Sequence, residues 1–283
     1  MPNKKKLYYL PTYGQLGNHL SVLAHLVAFA LEYDYKIIFF RQDYLCKILK
    51  SNNLTTELIK FSKLPANSFF SFCLNKAIII AFFNRNKRLF KRLFINQPFY
   101  VDTDLNVSKL PRTIAVTNWM FRYYNGVVKH QTEIRKRLMF DESLFSNAKQ
   151  ILKNLNLNFP SYILIGIHVR KGDYATWLDG KFFYDNEIYY AKLKEIAAQL
   201  EKCVFIICSN EQVQFDNQAS LNIIYANGSP AEDIFLLSKC SYIVGPPSTF
   251  SSYAAFLGDQ NLLLLESKDE DVTLSRFRKF YIR

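Results

Sequence analysis

His168-Val169-Arg170-Lys171-Gly172-Asp173-Tyr174 places an imidazole, two cations and a carboxylate at the end of an apolar run. A guanidinium leaving a buried strand can grip a diphosphate with a two-pronged fork. It would then offset the negative charge that grows on a departing nucleotide. The same residues also read as a loop closed by a surface Arg170–Asp173 pair. Further on, Gly245-Pro246-Pro247-Ser248-Thr249-Phe250-Ser251 leads into an apolar stretch. Ser248 or Thr249 as a helix N-cap would offer hydroxyls and open N–H groups to a phosphate, although most such segments are only caps. Near the start, Gly14-Gln15-Leu16-Gly17-Asn18 allows close backbone approach. Its glycines do not fit GxGxxG, so by itself it reads as a tight turn.

These loops need elements to hold them. Apolar patterning predicts a strand at 7–10, a helix at 18–33 and a strand at 36–40. Residues 43–94 read as mostly helical, with further strands at 99–101 and 113–116 and helices at 126–140 and 142–155. Asn156, Asn158, Pro160 and Ser161 form a polar break, which predicts two lobes, 1–155 and 156–283. After the break, strands are predicted at 162–169, 204–208, 221–225, 241–244 and 262–265. Between them fall helices at 186–201, 211–215, 231–238 and 250–257. This alternation predicts an α/β fold with a doubly wound parallel sheet. Such sheets bind ligands beyond the C-terminal ends of their strands, which is where the loops after Val169, Cys208, Tyr225 and Val244 lie.

Composition narrows the classes. In 283 residues, 49% hydrophobic and 21% charged is a globular composition, and no solenoid-period repeat is found. A net charge of +12 attracts phosphate-bearing ligands, anionic membranes and nucleic acid. No helix-turn-helix, RNA-recognition or zinc-finger pattern accompanies it, so nucleic acid is the weaker partner. Arg85, Lys87, Arg88, Lys91 and Arg92 interleave with apolar residues over 76–94, the make-up of an interfacial helix at an anionic membrane or of an ordinary amphipathic one. Arg276, Arg278, Lys279 and Arg283 form a second basic cluster. The longest apolar stretch, 77–83, is too short to cross a bilayer. With no signal-peptide pattern at the N-terminus, the expected address is the cytoplasm, with peripheral attachment at the inner face of the plasma membrane. Five cysteines without a CxxC pair read as reduced, Cys203 and Cys208 in the core. Asp102-Thr103-Asp104 is a DxD triplet of the kind that can ligate a metal, but it lacks the nucleotide-binding opening that usually precedes one. The four histidines show no zinc-ligand spacing with cysteines, so no metal is expected.

Taken together, Gly14 to Asn18, His168 to Tyr174, and Glu232-Asp233-Ile234-Phe235-Leu236-Leu237-Ser238-Lys239-Cys240 running into Ser248-Thr249-Phe250-Ser251 resemble the bacterial α-1,2-fucosyltransferases. That family is grouped with the α-1,6- and protein O-fucosyltransferases. Asn118-Trp119-Met120-Phe121, followed by Ile134-Arg135-Lys136, resembles its mid-chain pattern. The resemblance runs from Tyr8 to Gly258. It implies a GT-B-like fold of two Rossmann-like lobes, the acceptor side N-terminal and the donor site C-terminal. It further implies GDP-fucose as donor, inversion at the anomeric carbon and no required metal or other cofactor. By the same resemblance Arg170 contacts the donor β-phosphate, with His168 in the same motif. Gly17 and Asn18 face the diphosphate, Asp233 reads guanine or ribose, and Ser248, Thr249 and Phe250 form the donor loop.

The chain also departs from the family. His19 stands where Gln is usual, Lys171 where a second Arg is common, and Ser252-Tyr253 where a tryptophan pair is found. Ser209-Asn210-Glu211 replaces a more acidic stretch. These departures bear on acceptor and linkage more than on donor. Inversion requires the attacking hydroxyl to lose a proton, and Asp173 is the candidate base. The alternatives are that Asp173 only orients Arg170 or His168, and that His19 is the base. The expected reaction is transfer of fucose to a sugar hydroxyl, in α-1,2 linkage, on an oligosaccharide or lipid-linked glycan such as O-antigen. A different linkage, or a non-catalytic carbohydrate- or membrane-binding module of the same fold, are the other readings.

Overall fold

The computed structural model describes residues 5–9, 14–39, 43–49, 58–61, 94–95, 98–106, 110–117, 120–215 and 220–279. The chain divides into two units, Met1–Asp141 and Glu142–Arg283.

In the first unit the strands are β1 (Lys5–Tyr9), β2 (Tyr35–Phe39), β3 (Ile59–Phe61), β4 (Phe94–Ile95), β5 (Phe99–Tyr100), β6 (Thr113–Val116) and β7 (Phe121–Arg122). The helices are α1 (Leu16–Tyr33), α2 (Asp43–Ile48), α3 (Val101–Asp104) and α4 (Tyr124–Arg137). Five parallel strands form one sheet in the order β3-β2-β1-β6-β4, while β5 and β7 pair separately. Helix α1 is buried continuously from His19 to Ala30. An apolar surface that wide is what a helix needs between a sheet and a second helix, here α4. It ends where Asp34 turns left-handed (φ 55°) and caps the Ala30 carbonyl, which sends the chain into β2.

The second unit holds β8 (Ile163–Val169), β9 (Cys203–Ser209), β10 (Ile223–Tyr225), β11 (Tyr242–Gly245), β12 (Asn261–Leu264) and β13 (Arg278–Lys279). Its helices are α5 (Ser146–Asn158), α6 (Asn186–Ala197), α7 (Pro230–Ser238) and α8 (Thr249–Gly258). The strand order is β10-β9-β8-β11-β12-β13, parallel except for the edge strand β13. Strands β8 and β9 are buried on both faces and so read as unbroken apolar runs. Ile165, Ile167 and Val169 pack with Tyr189, Leu193 and Ile196 of α6. The opposite face carries Gly166, where a Cβ would lie 2.6 Å from Leu237 Cδ2, so the absence of a side chain lets α7 sit close against the sheet.

Three expectations change. The stretch 43–94 is not mostly helical where it is described, since β3 and β4 join α2 there, and strands of two or three residues leave no readable period. Residues 62–93, with most of the basic segment 76–94, lie outside the described residues, as do Asn118 and Trp119. Residues 211–215, expected as a helix, form an irregular segment that buries Val213 and Phe215 in the core. The division between units falls at Asp141/Glu142, ahead of the expected 155/156. Helix α5 runs on through Asn156 and Asn158, which lie on its exposed side. It belongs with the second unit because Ala148 N donates to Glu232 Oε1 (3.3 Å), and the Phe145 ring just before α5 meets Phe235 of α7 at 5.5 Å. Cys46, Cys203, Cys208 and Cys240 are free thiols, the last three buried.

Candidate functional site

In the second unit the chain leaves β8 toward β9 on one side, while β11 enters on the other. The strand order therefore reverses at the β8–β11 boundary, and a doubly wound sheet opens its ligand crevice at that point. Arg170 follows β8 directly, and the Pro246–Ser248 turn follows β11. The two strands approach closely because residue 245 is glycine, where a Cβ would lie 2.8 Å from the His168 carbonyl oxygen.

Arg170 and Asp173 are joined as the loop reading expects. Arg170 Nη2 lies 2.9 Å from both carboxylate oxygens of Asp173. The arginine side chain is 11% exposed and the aspartate 52%, so the pair faces solvent with the cation as its base. The guanidinium also lies over the Tyr174 ring at 5.3 Å, and Tyr174 Oη donates to the Pro247 carbonyl at 2.7 Å. That bond ties the β8 loop to the β11 turn. Lys171 points elsewhere: its Nζ donates to the Tyr184 carbonyl (2.7 Å) and lies 4.9 Å from the Phe183 ring centroid. Burial depresses its pKa, against the pull of Asp185, Glu187 and Glu211. Lys171 therefore braces the loop from inside. Its own N–H donates to Asn210 Oδ1 at 2.8 Å, and Gly172 takes the left-handed conformation (φ 57°) needed to turn the chain.

Ser248 is the N-cap of α8, its Oγ accepting from Phe250 N at 3.1 Å, with Thr249 as the first helical residue. Phe250 stacks on the His168 ring at 4.8 Å. His168 is buried, and desolvation, then the nearby Arg170 charge, push its pKa down to about 3. The buried ring packs under Phe250, and its Nδ1 has no hydrogen-bond partner among the described residues.

Asp233 lies in the first turn of α7, behind a capping box made by Ser229 and Glu232. It is only 7% exposed, and its Oδ1 accepts no hydrogen bond from the described residues. Burial, then Glu232, raise its pKa to about 7. Its carbonyl oxygen is 3.8 Å from Cys208 Sγ at the C-terminal end of β9. A buried carboxylate oxygen without a donor is costly unless a ligand brings one.

Gly17, Asn18 and His19 belong to the first unit, in the opening turn of α1, where no side chain caps the helix. Asn18 N donates to the Gln15 carbonyl at 3.0 Å. Burial lowers the His19 pKa, and its Nδ1 faces Tyr9 Oη at 3.5 Å. Both DxD carboxylates turn Oδ2 to backbone N–H groups. Asp102 Oδ2 accepts from Tyr124 N (2.9 Å) and Asn125 N (3.4 Å), while Asp104 Oδ2 accepts from Tyr100 N at 2.8 Å. Among the described residues no three His, Cys, Asp or Glu side chains converge as a metal site, and no helix is long and apolar enough to cross a membrane.

Sequence reasoning missed Tyr174 and Asn210 as the ties that fix the Arg170 loop. A tyrosine closing the HxRxGDY segment was visible, but its partner Pro247 lies 73 residues away.

Comparison with known proteins agrees with this architecture. A galactoside alpha-(1,2)-fucosyltransferase 2 from Sus scrofa is 27% identical over 147 residues, covering 48% of this chain and 43% of that protein. One from Rattus norvegicus is 28% identical over 145 residues, covering 47% and 41%. The chain thus spans less than half the length of these curated relatives. POFUT1 in complex with GDP-fucose superimposes with a TM-score of 0.58 at 10% identity, covering 92% of this chain and 95% of the other. The fucosyltransferase NodZ from Bradyrhizobium gives 0.55 at 14% identity, covering 94% and 97%. The α/β fold with its parallel sheets is that of GT-B-type fucosyltransferases. With the profile described as Glycosyl transferase family 11 matching residues 1–274, the chain belongs to that family.

Proposed function

We propose that the chain is an inverting fucosyltransferase that moves L-fucose from GDP-fucose to a sugar hydroxyl, in α-1,2 linkage, on an oligosaccharide or lipid-linked glycan such as O-antigen. The observation that carries this reading is that one doubly wound sheet carries, at the C-terminal ends of its strands, both Arg170 after β8 and, on α7 beside the end of β9, the buried Asp233 carboxylate whose Oδ1 has no partner among the described residues. A cation for a diphosphate and an acceptor for base or ribose N–H and O–H groups are what a nucleotide-sugar donor needs. Family membership and the galactoside fucosyltransferases among the relatives support the choice of sugar. Incubation with GDP-fucose and a panel of galactoside-terminated acceptors, followed by NMR of the product, tests it. No turnover of GDP-fucose with or without acceptor would leave the non-catalytic module.

In this reading Arg170 exchanges Asp173 for the donor diphosphate. The N-terminus of α8, capped by Ser248 and opened by Thr249 and Phe250, adds N–H groups to the same anion. The exchange releases Asp173 from Arg170. As the acceptor oxygen bonds to the anomeric carbon, its proton passes to Asp173 and the carbon–oxygen bond to GDP breaks. His168 positions, and His19 is the alternative base. Gly17 and Asn18 are further candidates for the diphosphate, and the first unit is assigned to the acceptor side.

No step calls for a metal, so activity is expected to survive excess EDTA. A strict Mn²⁺ or Mg²⁺ requirement abolished by Asp102→Ala or Asp104→Ala would overturn that part. We assign the charge of +12 to the nucleotide sugar and an anionic membrane, not to nucleic acid, with the protein at the cytoplasmic face. Sedimentation with anionic vesicles at low salt is expected to carry it down, less so when Arg85, Lys87, Arg88, Lys91 and Arg92 are Gln. Protein left in the supernatant counts against membrane contact.

A further inference from the structure

The turn after Asp173 is built around an exposed indole. Trp177 is 43% exposed and Leu178 beside it 56%. The indole is held from behind by Tyr174, with ring centroids 4.8 Å apart, and by Phe182 at 5.7 Å, both of them buried rings. Tyr174 is the same ring that lies under the Arg170 guanidinium and is anchored to Pro247. The backbone that lifts this edge into solvent is strained. Leu178 (φ 50°) and Asp179 (φ 56°) are both left-handed, followed by Gly180 at φ 73°. A Cβ on Gly180 would meet the Ala175 carbonyl at 3.0 Å, so the turn folds tightly back on itself. Consecutive left-handed residues that are not glycine are uncommon, and such strain collects where a side chain must be presented to a ligand.

We propose that Trp177 is the platform for the acceptor sugar: the apolar face of a pyranose ring lies on the exposed indole, with Leu178 along its edge. The C–H bonds of that ring face carry partial positive charge and meet the negative face of the indole. A rigid, pre-packed aromatic binds such a face with little loss of side-chain freedom. The platform shares Tyr174 with Arg170, which places an acceptor beside the cation assigned to the donor. This inference rests on the reading of the site as one of fucosyl transfer, and names its acceptor subsite.

The experiment uses the full chain, Trp177→Ala and Trp177→Phe, with methyl β-D-galactopyranoside as acceptor probe and GDP as nucleotide probe. Trp177→Ala is expected to raise the acceptor KM about fivefold to tenfold, Trp177→Phe to restore most of it, and GDP affinity to stay within about twofold. An unchanged acceptor KM in folded Trp177→Ala overturns the platform. A loss of GDP affinity as large as the rise in KM overturns it too, because the indole then stacks the base. Tryptophan fluorescence separates this failure from failure of the transfer reading. The galactoside should produce a saturable emission change in the parent that Trp177→Ala lacks, even if no transfer is seen. Its absence sinks the platform on its own.

Discussion

Arg170→Ala is expected to lower kcat/KM by about 10²–10³-fold, the range for one lost electrostatic donor, on the order of 2.7–4 kcal/mol of transition-state stabilisation. The residue leaves the end of β8 with its side chain 11% exposed, so the guanidinium meets a ligand in a partly desolvated place. Folding should be little affected. The Arg170–Asp173 pair is half open to water on the aspartate side, and such pairs contribute about 0–1 kcal/mol. Arg170→Lys is expected to recover little, since a point charge cannot fork across two phosphate oxygens or lie flat over Tyr174. Steady-state kinetics with GDP-fucose, alongside a thermal melt, reads both effects. Near-normal turnover by folded Arg170→Ala would remove the arginine from the donor site.

The part of the fold that positions this arginine was legible because it is repetitive and buried. Strands β8, β9, β11 and β12 are apolar runs separated by helices, and each was readable to within a residue or two at its ends. The alternation implies a doubly wound parallel sheet, which puts the loops after Val169 and Val244 at the ligand edge, while the strand order itself is legible only in the structure. What could not be read was orientation. Lys171 looks like a second cation for the phosphates, yet its long stem lets Nζ reach the Tyr184 carbonyl inside the unit. His168 is a proton-carrying residue type, and that its ring is buried in a stack with Phe250 is visible only in the structure. The Asn156–Ser161 break misled because a helix tolerates asparagines on a solvated face, and the contact that keeps α5 in the second unit, Ala148 with Glu232, spans 84 residues. Trp177 carried no pattern at all. Its exposure depends on backbone angles that sequence periodicity does not report.

Asp233 should bind its ligand in a way that depends on pH near neutrality. In the free protein burial, then Glu232, lift its carboxyl from an ordinary 3.8 to about 7, and its Oδ1 accepts nothing from the described residues. A guanine or ribose that donates hydrogen bonds favours the ionised form, so binding should expel the proton. GDP affinity is therefore expected to rise as pH climbs to about 7 and to level off above it, with protons released on binding below about pH 7. The nucleotide's own terminal phosphate also titrates near pH 6, so the carboxyl is isolated by comparing the parent with Asp233→Asn in calorimetry. Asp233→Ala should weaken GDP by about 1.5–3 kcal/mol, as for hydrogen bonds to a charged group, and pyrophosphate far less. Stability should move the other way. An acid whose folded pKa exceeds its unfolded one is best tolerated below the unfolded value, near pH 4. As pH climbs from there to about 7 the unfolded chain gains by ionising first, and stability falls by on the order of 2–4 kcal/mol. Asp233→Asn deletes that cost, so it should melt higher than the parent at pH 8 while binding GDP worse. A variant that melts lower at pH 8 and binds GDP as tightly as the parent, with the same pH profile, would show that Asp233 is a structural carboxylate and that the donor's base is read elsewhere.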